Sequence, residues 1–345
     1  MESSSYIEHP LRLRAGTSND IRPNEVPAFK LINGQLRKVK KLIKEQLSIS
    51  EKTGIINQLL KYMNTCSGKM LRPGLVLLAG SAVNEITDEH LRIAAIFEMI
   101  HNATLLHDDV IDDGQRRRGQ PTINNLWGNE AAVLFGDFLL SRVFRMCAGL
   151  ELRIAKEIAA TAEQVCEGEL VQVSKSWNRQ LSESQYIDII TNKSAYIFGS
   201  CCYLGGLLAG GRETQLQSLR CFGLNSGIAF QITDDLLDII GDERETGKTL
   251  GSDAEKSKLT LPVIHFLQTT DKRGKTEITE EMNAKRYSQN ADLIETLRSR
   301  GSLEYAQVRS QEFAAKAIDA LADLKDSDAK KALIETAQFM VNRVV

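Results

Sequence analysis

Apolar side chains recur every three or four positions along most of this chain, which is the spacing of one face of an α-helix. The first such stretch runs from Ala28 to Leu47 and places Leu36, Val39 and Ile43 on one face. No alternation of apolar and polar residues persists long enough to predict a strand. The pattern predicts an all-α protein with further helices over 53–64, 72–84, 88–113, 129–149, 151–173, 182–209, 212–240, 258–268, 288–299, 301–323 and 327–344.

Helix breakers are scarce, and they fall where the apolar pattern stops. The six prolines are Pro10, Pro23, Pro27, Pro73, Pro121 and Pro262. Gly, Pro and charged residues predict loops at 67–73, 119–122, 241–253 and 269–281. Residues 1–27 are polar and hold half of the prolines, so we interpret them as a flexible or loosely docked arm. Residues 28–345 are then a single helical domain.

Composition and charge narrow the function classes. The hydrophobic fraction of 42% is enough for a sizeable core, and the net charge of −2 gives no electrostatic support for nucleic-acid binding. The six cysteines form no CxxC pair and are read as reduced core thiols. The N-terminus has no apolar signal region, and no run of 18 apolar residues occurs. We therefore expect a soluble, cytoplasmic protein.

One motif of the form D-D-x-x-D occurs twice. The first copy, in HDDVIDDG, carries Asp108, Asp109 and Asp112, and the second, in QITDDLLDIIGD, carries Asp234, Asp235 and Asp238. Positions i and i+4 of a helix share a face, so Asp108 projects with Asp112, and Asp234 with Asp238. Each copy follows an apolar helical segment.

Clustered carboxylates beside apolar sequence repel one another, and burial adds to that cost. Magnesium removes the conflict, because it takes oxygen ligands and bridges carboxylates to substrate phosphates. A single motif would more often be a solvated acidic helix face, but two copies joined to apolar sequence make that interpretation weaker. The spacing of a calcium loop is absent. The candidate metal ligands are Asp108, Asp112, Asp234 and Asp238.

Cationic side chains near these motifs could bind phosphate. Lys69 and Arg72 lie in GKMLRP, and QRRRGQPT follows the first motif with Arg116, Arg117 and Arg118. Lys193 and Ser194 in TNKSA could equally be surface residues near a helix kink. Lys248 and Lys258 lie in a glycine-containing segment that is either a closing loop or only a mobile charged one. His101 is read as a phosphate donor and His107 as structural.

These motifs, in this order over roughly 68–262, resemble the trans-prenyl diphosphate synthases, or polyprenyl synthetases. The resemblance rests on GKMLRP, EMIHNATLLHDDVIDDGQRRRGQPT, the KSA element and FQITDDLLDIIGD with its GK loop. The C-terminal segments resemble the longer-chain branch. One departure is Ser257 before Lys258, where the family usually has Gly.

The resemblance implies an all-helical bundle around a central active-site cavity, several Mg²⁺ ions, and a homodimer. It implies a reaction that joins isopentenyl diphosphate head-to-tail onto an allylic diphosphate. By carry-over, the catalytic set is Asp108, Asp109, Asp112, Asp234, Asp235 and Lys193. The residues that resemble the family's isopentenyl diphosphate site are Lys69, Arg72, His101 and Arg118. Those that resemble its allylic diphosphate site are Arg117, Lys193, Ser194, Gln231, Lys248 and Lys258.

In the implied mechanism the allylic diphosphate ionises first and the isopentenyl double bond attacks the resulting cation. A proton is then lost to the released pyrophosphate. No side-chain nucleophile is needed, and apolar walls keep water from the cation. A long apolar product suggests transient membrane contact for its release.

Product length is predicted from the helix that carries the first motif. The residues before Asp108 that would line an apolar tunnel are Thr104, Ala103, Ile100, Met99 and Ile96. Short-chain members of the family tend to place an aromatic residue at the position of Ala103, so a small residue here is expected to leave the tunnel open. The span from Ile96 to Asp108 is about 18 Å. It suits a product of about C30–C50, unless Phe97 or Phe138 closes the tunnel.

Four alternatives remain open from the sequence. A short-chain synthase of C15 or C20 product would differ only in the tunnel floor. A terpene cyclase would not need Lys69, Arg72 and Arg118, and a silent partner subunit of a heteromeric synthase would be expected to lack aspartates. A phosphohydrolase using His107 and Asp108 would need further clustered histidines, which are dispersed here.

Overall fold

The computed structural model of the chain describes residues 26–48, 54–65, 68–117, 119–175, 180–241, 258–271 and 291–342. These ranges are almost entirely helical, which confirms the predicted all-α class. A 3-10 helix (Pro27–Ile32) comes first, and a π-helix (Thr191–Ala195) joins α8 to α9. The α-helices are α1 (Asn33–Leu47), α2 (Ile55–Thr65), α3 (Leu71–Val83), α4 (Asp88–Ile111), α5 (Ile123–Trp127), α6 (Asn129–Cys147), α7 (Leu152–Lys175), α8 (Glu183–Ile190), α9 (Tyr196–Leu208), α10 (Glu213–Ile240), α11 (Leu261–Thr269), α12 (Ala291–Ser299), α13 (Ser302–Ala320) and α14 (Asp328–Val341).

Two local features differ from the helical and loop predictions. The helix predicted over 182–209 is interrupted by the π-helix, where α7 approaches so closely that a Cβ on Gly168 would lie 2.3 Å from the backbone nitrogen of Lys193. Single π turns of this kind are frequent at functional sites. In addition, the loop predicted at 119–122 contains half of a small antiparallel hairpin, in which β1 (Arg116–Arg117) pairs with β2 (Gln120–Pro121).

The centre of the bundle is α9, which is buried around most of its circumference and packs against α3 and α10. A helix that is apolar on all sides is stable only inside such a shell. Close approach of α10 requires Gly223, where a Cβ would lie 2.4 Å from the carbonyl oxygen of Phe198. This packing fixes α10 against the helix that follows the π turn.

Both aspartate motifs lie near the C-terminal ends of long helices. Helix α4 starts at a capping box between Thr87 and His90 and ends before Asp113, which has a left-handed backbone with φ of 45°. Helix α10 ends at Gly241, shortly after its own motif. A helix C-terminus carries partial negative charge, so carboxylates there are disfavoured by about 0.3–1 kcal/mol each. This unfavourable placement points to a functional requirement.

Several smaller predictions can be compared with the described residues. Val26 is buried and Pro27 begins the 3-10 helix, so the last two residues of the predicted arm are part of the fold, whereas residues 1–25 lie outside the described ranges. The prediction that the cysteines are core thiols is wrong for Cys166 and Cys221, which are exposed on helix surfaces, and only partly right for Cys147, which is half-buried. Within the described ranges, the helices include none with the length and apolarity needed to cross a membrane.

Candidate active site

The first motif places Asp108 at the centre of a group of charges. Asp108 is half-buried, and its pKa is raised to about 6, mainly by burial and further by Glu169 and Asp112. Lys193 and Arg117 act on the same pKa in the opposite direction. Side chains from α4, α7, the π-helix and the hairpin therefore surround one carboxyl group.

Asp109 differs from its neighbour because its side chain already has a strong partner. Its Oδ1 accepts bonds from Nε of Arg117 at 2.8 Å and from Nη2 at 2.7 Å, and the carboxylate is buried. The amide of Asn124 donates to its carbonyl oxygen at 3.1 Å. In this structure Asp109 therefore holds Arg117 and the turn after α4 in place, and its predicted catalytic role stays a prediction.

The second motif is divided in the same way. Asp234 and Asp238 are half-buried on α10, whereas Asp235 is buried and both of its carboxylate oxygens accept hydrogen bonds. Tyr186 donates to one oxygen at 2.7 Å, and the amide nitrogen of Gln231 donates to the other at 2.7 Å. Asp235 therefore holds Tyr186 and Gln231 in place, and its predicted catalytic role stays a prediction.

The bond from Asp235 also determines how Gln231 is presented. Since the Gln231 amide nitrogen donates to Asp235, its oxygen is directed away, and Ser194 donates to that oxygen at 2.7 Å. A chain of three hydrogen bonds thus runs from Tyr186 on α8 through α10 to the π-helix. It connects the two elements on which Ser194 and Gln231 were predicted as ligands.

Lys258 links the sequence after the second motif to the first motif. Its Nζ donates to Oδ1 of Asp112 at 2.7 Å, and only 9% of the Lys258 side chain is exposed. Charge-assisted bonds of this length are among the stronger polar contacts in proteins. Two further predicted cations, Arg118 and Lys248, lie outside the described residues.

Lys193 is held by two residues of α7 that the sequence analysis missed. Its ammonium forms an ion pair with Glu169 and donates to Oε1 of Gln172 at 2.7 Å. Both residues, like Tyr186, belong to ordinary amphipathic helices and to no recognisable motif. Only their helical spacing, i and i+3, could have indicated that Glu169 and Gln172 share a face.

The residues predicted for isopentenyl diphosphate are distributed over three elements. Lys69 precedes α3 and lies over the ring of Phe339, with Nζ 5.4 Å from the ring centroid. Arg72, in the first turn of α3, lies 5.0 Å over the ring of Phe198. His101 is half-buried on α4, two turns before Asp108. Each ring lies against its cation at a distance typical of a cation–π contact.

The predicted tunnel residues are not all on the face that carries Asp108. Thr104 is one turn before Asp108 and is half-buried, while Ile96, Met99, Ile100 and Ala103 are at most 2% exposed. No solvent-filled channel therefore touches Ala103 in this structure. A growing apolar chain would have to separate these side chains, so the open tunnel expected at Ala103 is not preformed.

The acidic residues fit a divalent cation that shares its ligands with a substrate. Asp108 and Asp112 supply carboxylate oxygens on one helical face. The raised pKa of Asp108 reflects burial first and then repulsion by Glu169 and Asp112, and a bound cation would offset both. Among the described residues, no three Asp, Glu, His or Cys side chains converge closely enough to hold a metal ion on their own. Magnesium commonly takes one or two carboxylates and completes its shell with water and phosphate oxygens.

Comparison with known proteins identifies the class of this fold and site. A family model described as polyprenyl synthetase matches residues 53–299. An octaprenyl diphosphate synthase of Escherichia coli (strain K12) is 36% identical over 292 residues, which cover 84% of this chain and 90% of that protein.

Solved structures agree with this result. A decaprenyl diphosphate synthase from Rhodobacter capsulatus superposes with a TM-score of 0.84 at 33% identity, covering 92% of this chain and 98% of the other. A polyprenyl synthase from Caulobacter crescentus CB15, in complex with calcium and isoprenyl diphosphate, gives 0.86 at 32% identity, covering 92% and 97%. The fold is that of the isoprenyl diphosphate synthases, and the protein is an all-helical prenyltransferase. The chain belongs to the polyprenyl synthetase family, which confirms the family and the reaction class expected from its motifs.

Proposed function

We propose that this enzyme adds isopentenyl diphosphate units head-to-tail to an allylic diphosphate and makes an all-trans polyprenyl diphosphate of about C30–C50. The observation that carries the proposal is the contact of Lys258 with Asp112 at 2.7 Å. It brings a cation that follows the second motif onto the first motif. A diphosphate bound between the motifs would then meet carboxylates and cations from both parts of the chain.

In this reaction the bond between the allylic carbon and the diphosphate oxygen breaks, and the isopentenyl double bond supplies electrons for the new carbon–carbon bond. The proton released by the isopentenyl unit goes to the departing pyrophosphate. In this proposal Lys193, Arg117 and Lys258, which pair with carboxylates around the first motif, stabilise the charge that develops on that leaving group. The apolar side chains that precede Asp108 exclude water from the allylic cation.

Mg²⁺ is the proposed cofactor, held by Asp108 and Asp112 of the first motif and by Asp234 and Asp238 of the second. When bound, it would neutralise diphosphate oxygens as Lewis acid. Support comes from the hard oxygen donors of this set and from the solved relative that contains calcium with isoprenyl diphosphate.

The length of the product is supported by two observations. Two of the related proteins named above carry octaprenyl and decaprenyl diphosphate synthase in their names. In addition, α4 carries no Phe, Tyr or Trp between Phe97 and Asp108.

The reaction and the length can be tested in one product assay. The protein would be incubated with Mg²⁺, labelled isopentenyl diphosphate and farnesyl or geranylgeranyl diphosphate, with a chelator-treated sample as control. We expect a product ladder that ends at C30 or above and disappears with the chelator. A ladder that stops at C15 or C20 would keep the reaction and overturn the length. No elongation with either primer would favour a silent partner subunit.

We also propose that the enzyme is a homodimer built on helix α6. Three large apolar side chains on α6 are exposed, Val133, Leu134 and Phe144, and Leu134 and Phe144 have 67% and 70% of their surface accessible. Exposed large apolar side chains on an otherwise amphipathic helix are typical of an interface. Light scattering should give twice the chain mass of 38.4 kDa. Phe144→Lys should reduce that mass, and a wild-type monomer would contradict the proposal.

We also propose that the enzyme releases its long apolar product by transient contact with a membrane.

A further inference from the structure

We infer that Glu169, together with Gln172, is a positioning residue. It holds the ammonium group of Lys193 in the orientation that binds the allylic diphosphate. The inference rests on the proposed function, because it takes Lys193 as a ligand of that substrate. Glu169 belongs to neither aspartate motif and lies on α7, a helix to which the sequence analysis assigned no ligand. Its ion pair with Lys193 is well shielded, with 16% of the Glu169 side chain and 19% of the Lys193 side chain exposed.

The backbone on both sides of this ion pair brings Glu169 close to Lys193. Gly168, the residue before Glu169, lies against the peptide between Asn192 and Lys193, and a Cβ there would be 2.7 Å from the Cα of Lys193. The π turn at Thr191–Ala195 faces α7 at this point. An α-helical register in place of the π turn would rotate Lys193 away from α7. Close approach and π turn together present Lys193 to Glu169 and Gln172.

Two acceptors leave the Lys193 ammonium with one donor for a substrate. An ammonium has three N–H donors on a flexible stem, and Glu169 and Gln172 take two of them. Tetrahedral geometry then sets the direction of the third N–H donor. The Lys193 side chain is therefore already ordered before the substrate binds. Pre-organised donors of this kind cost no reorganisation when charge develops on a leaving group.

Glu169 also has an opposing effect, because its negative charge repels a diphosphate. If repulsion were dominant, neutral substitutions would strengthen substrate binding. We expect positioning to dominate, since the Glu169 charge is compensated by Lys193, and displacement of a ligand by about 1 Å can cost roughly a hundredfold in rate.

The test uses the full enzyme and two substitutions that separate charge from hydrogen bonding. Glu169→Ala removes the acceptor, and Glu169→Gln keeps an acceptor without the charge. For Glu169→Ala we expect kcat/KM for farnesyl diphosphate to fall about 10- to 100-fold, with the KM for isopentenyl diphosphate within about twofold of the wild type. For Glu169→Gln the loss should be about three- to tenfold. Calorimetric titration of farnesyl diphosphate with Mg²⁺, without isopentenyl diphosphate, should rank the affinities in the same way: the wild type binds most tightly, Glu169→Gln less tightly and Glu169→Ala least tightly.

A matched control and a double-variant comparison complete the design. Glu167→Ala changes an exposed carboxylate two positions away on α7 and should leave both substrates unaffected. Glu169→Ala made together with Lys193→Met should be no worse than Lys193→Met alone, because the positioned group is then absent. Equal losses for both substrates, or tighter farnesyl diphosphate binding in Glu169→Ala, would overturn the inference.

If Glu169→Ala does not fold, Glu169→Gln and Gln172→Ala carry the same test. A wild-type protein that elongates no primer would contradict the proposed function. The farnesyl diphosphate titration would still report on Glu169.

Discussion

Replacing Asp108 by Asn should abolish most activity and, at the same time, stabilise the metal-free protein at pH 8. We expect kcat/KM to fall by at least about a thousandfold, because the substitution removes a proposed ligand of the metal ions that stabilise the leaving group. The stability gain has a separate origin. Burial, Glu169 and Asp112 disfavour the ionised form of Asp108, whose pKa is raised to about 6.

The sign of the pH dependence follows from that shift. A carboxyl group whose pKa is higher in the folded state than in the unfolded chain destabilises the fold when it is ionised. The penalty is absent below the ordinary pKa of 3.8, develops between that value and about 6, and is complete above 6. At pH 8 the free energy of unfolding should therefore be about 1–3 kcal/mol higher in Asp108→Asn than in the wild type, and the two proteins should converge near pH 4.

The measurement is thermal or denaturant unfolding in the presence of chelator at several pH values, together with steady-state kinetics in Mg²⁺. Asp113→Asn is a close control, because Asp113 is exposed and its left-handed backbone also suits Asn. It should change neither activity nor stability by much. Loss of stability in Asp108→Asn at pH 8, or retained activity, would contradict this account of the first motif.

Replacing Ala103 by Tyr should shorten the product by several isoprene units while leaving the first condensation intact. Ala103 is completely buried on α4 and lies five residues before Asp108, and in the proposed tunnel a ring here would block the path along which the apolar chain grows. Chain lengths from the product assay, compared for wild type and variant with the same primer, measure the effect.

Because no space touches Ala103 in the resting structure, the larger side chain could also unfold the protein by overpacking. Ala103→Val provides a smaller step in the same direction, and the melting temperature distinguishes misfolding from shortening. Thr104→Tyr is the informative comparison, since Thr104 is half-buried on the face of Asp108. If only Thr104→Tyr shortens the product, the residue that controls product length lies on the face of Asp108. If neither Ala103→Tyr nor Thr104→Tyr changes the product length, the tunnel proposal is contradicted.

The sequence predicted the helices well, for a physical reason. Helical periodicity is a local property, and α4 and α10 begin and end within a few residues of their predicted positions. The i, i+4 spacing of Asp108 and Asp112 is also local, so a shared face could be inferred without any tertiary contact. The hairpin at Arg116–Pro121 was not predicted, because two-residue strands carry no alternation to detect.

The partners of the site's polar and cationic residues could not be predicted, because they depend on contacts between segments far apart in the sequence. The spacing of the second motif gave no reason to separate Asp235 from Asp234, yet Tyr186, 49 positions away, donates a hydrogen bond to Asp235. Glu169 and Gln172 were overlooked because their role exists only where α7 meets the π-helix.

What the sequence alone determined about this protein is its helical class, its family, and the pairing of carboxylates along each motif helix. These follow from periodicity and from spacing within single elements. Only the tertiary structure decided that Arg117 pairs with Asp109, that Lys258 pairs with Asp112, and that the π turn presents Lys193 to Glu169. Those properties depend on side chains far apart in sequence, whose distances are set by the packing of α9 against α3 and α10.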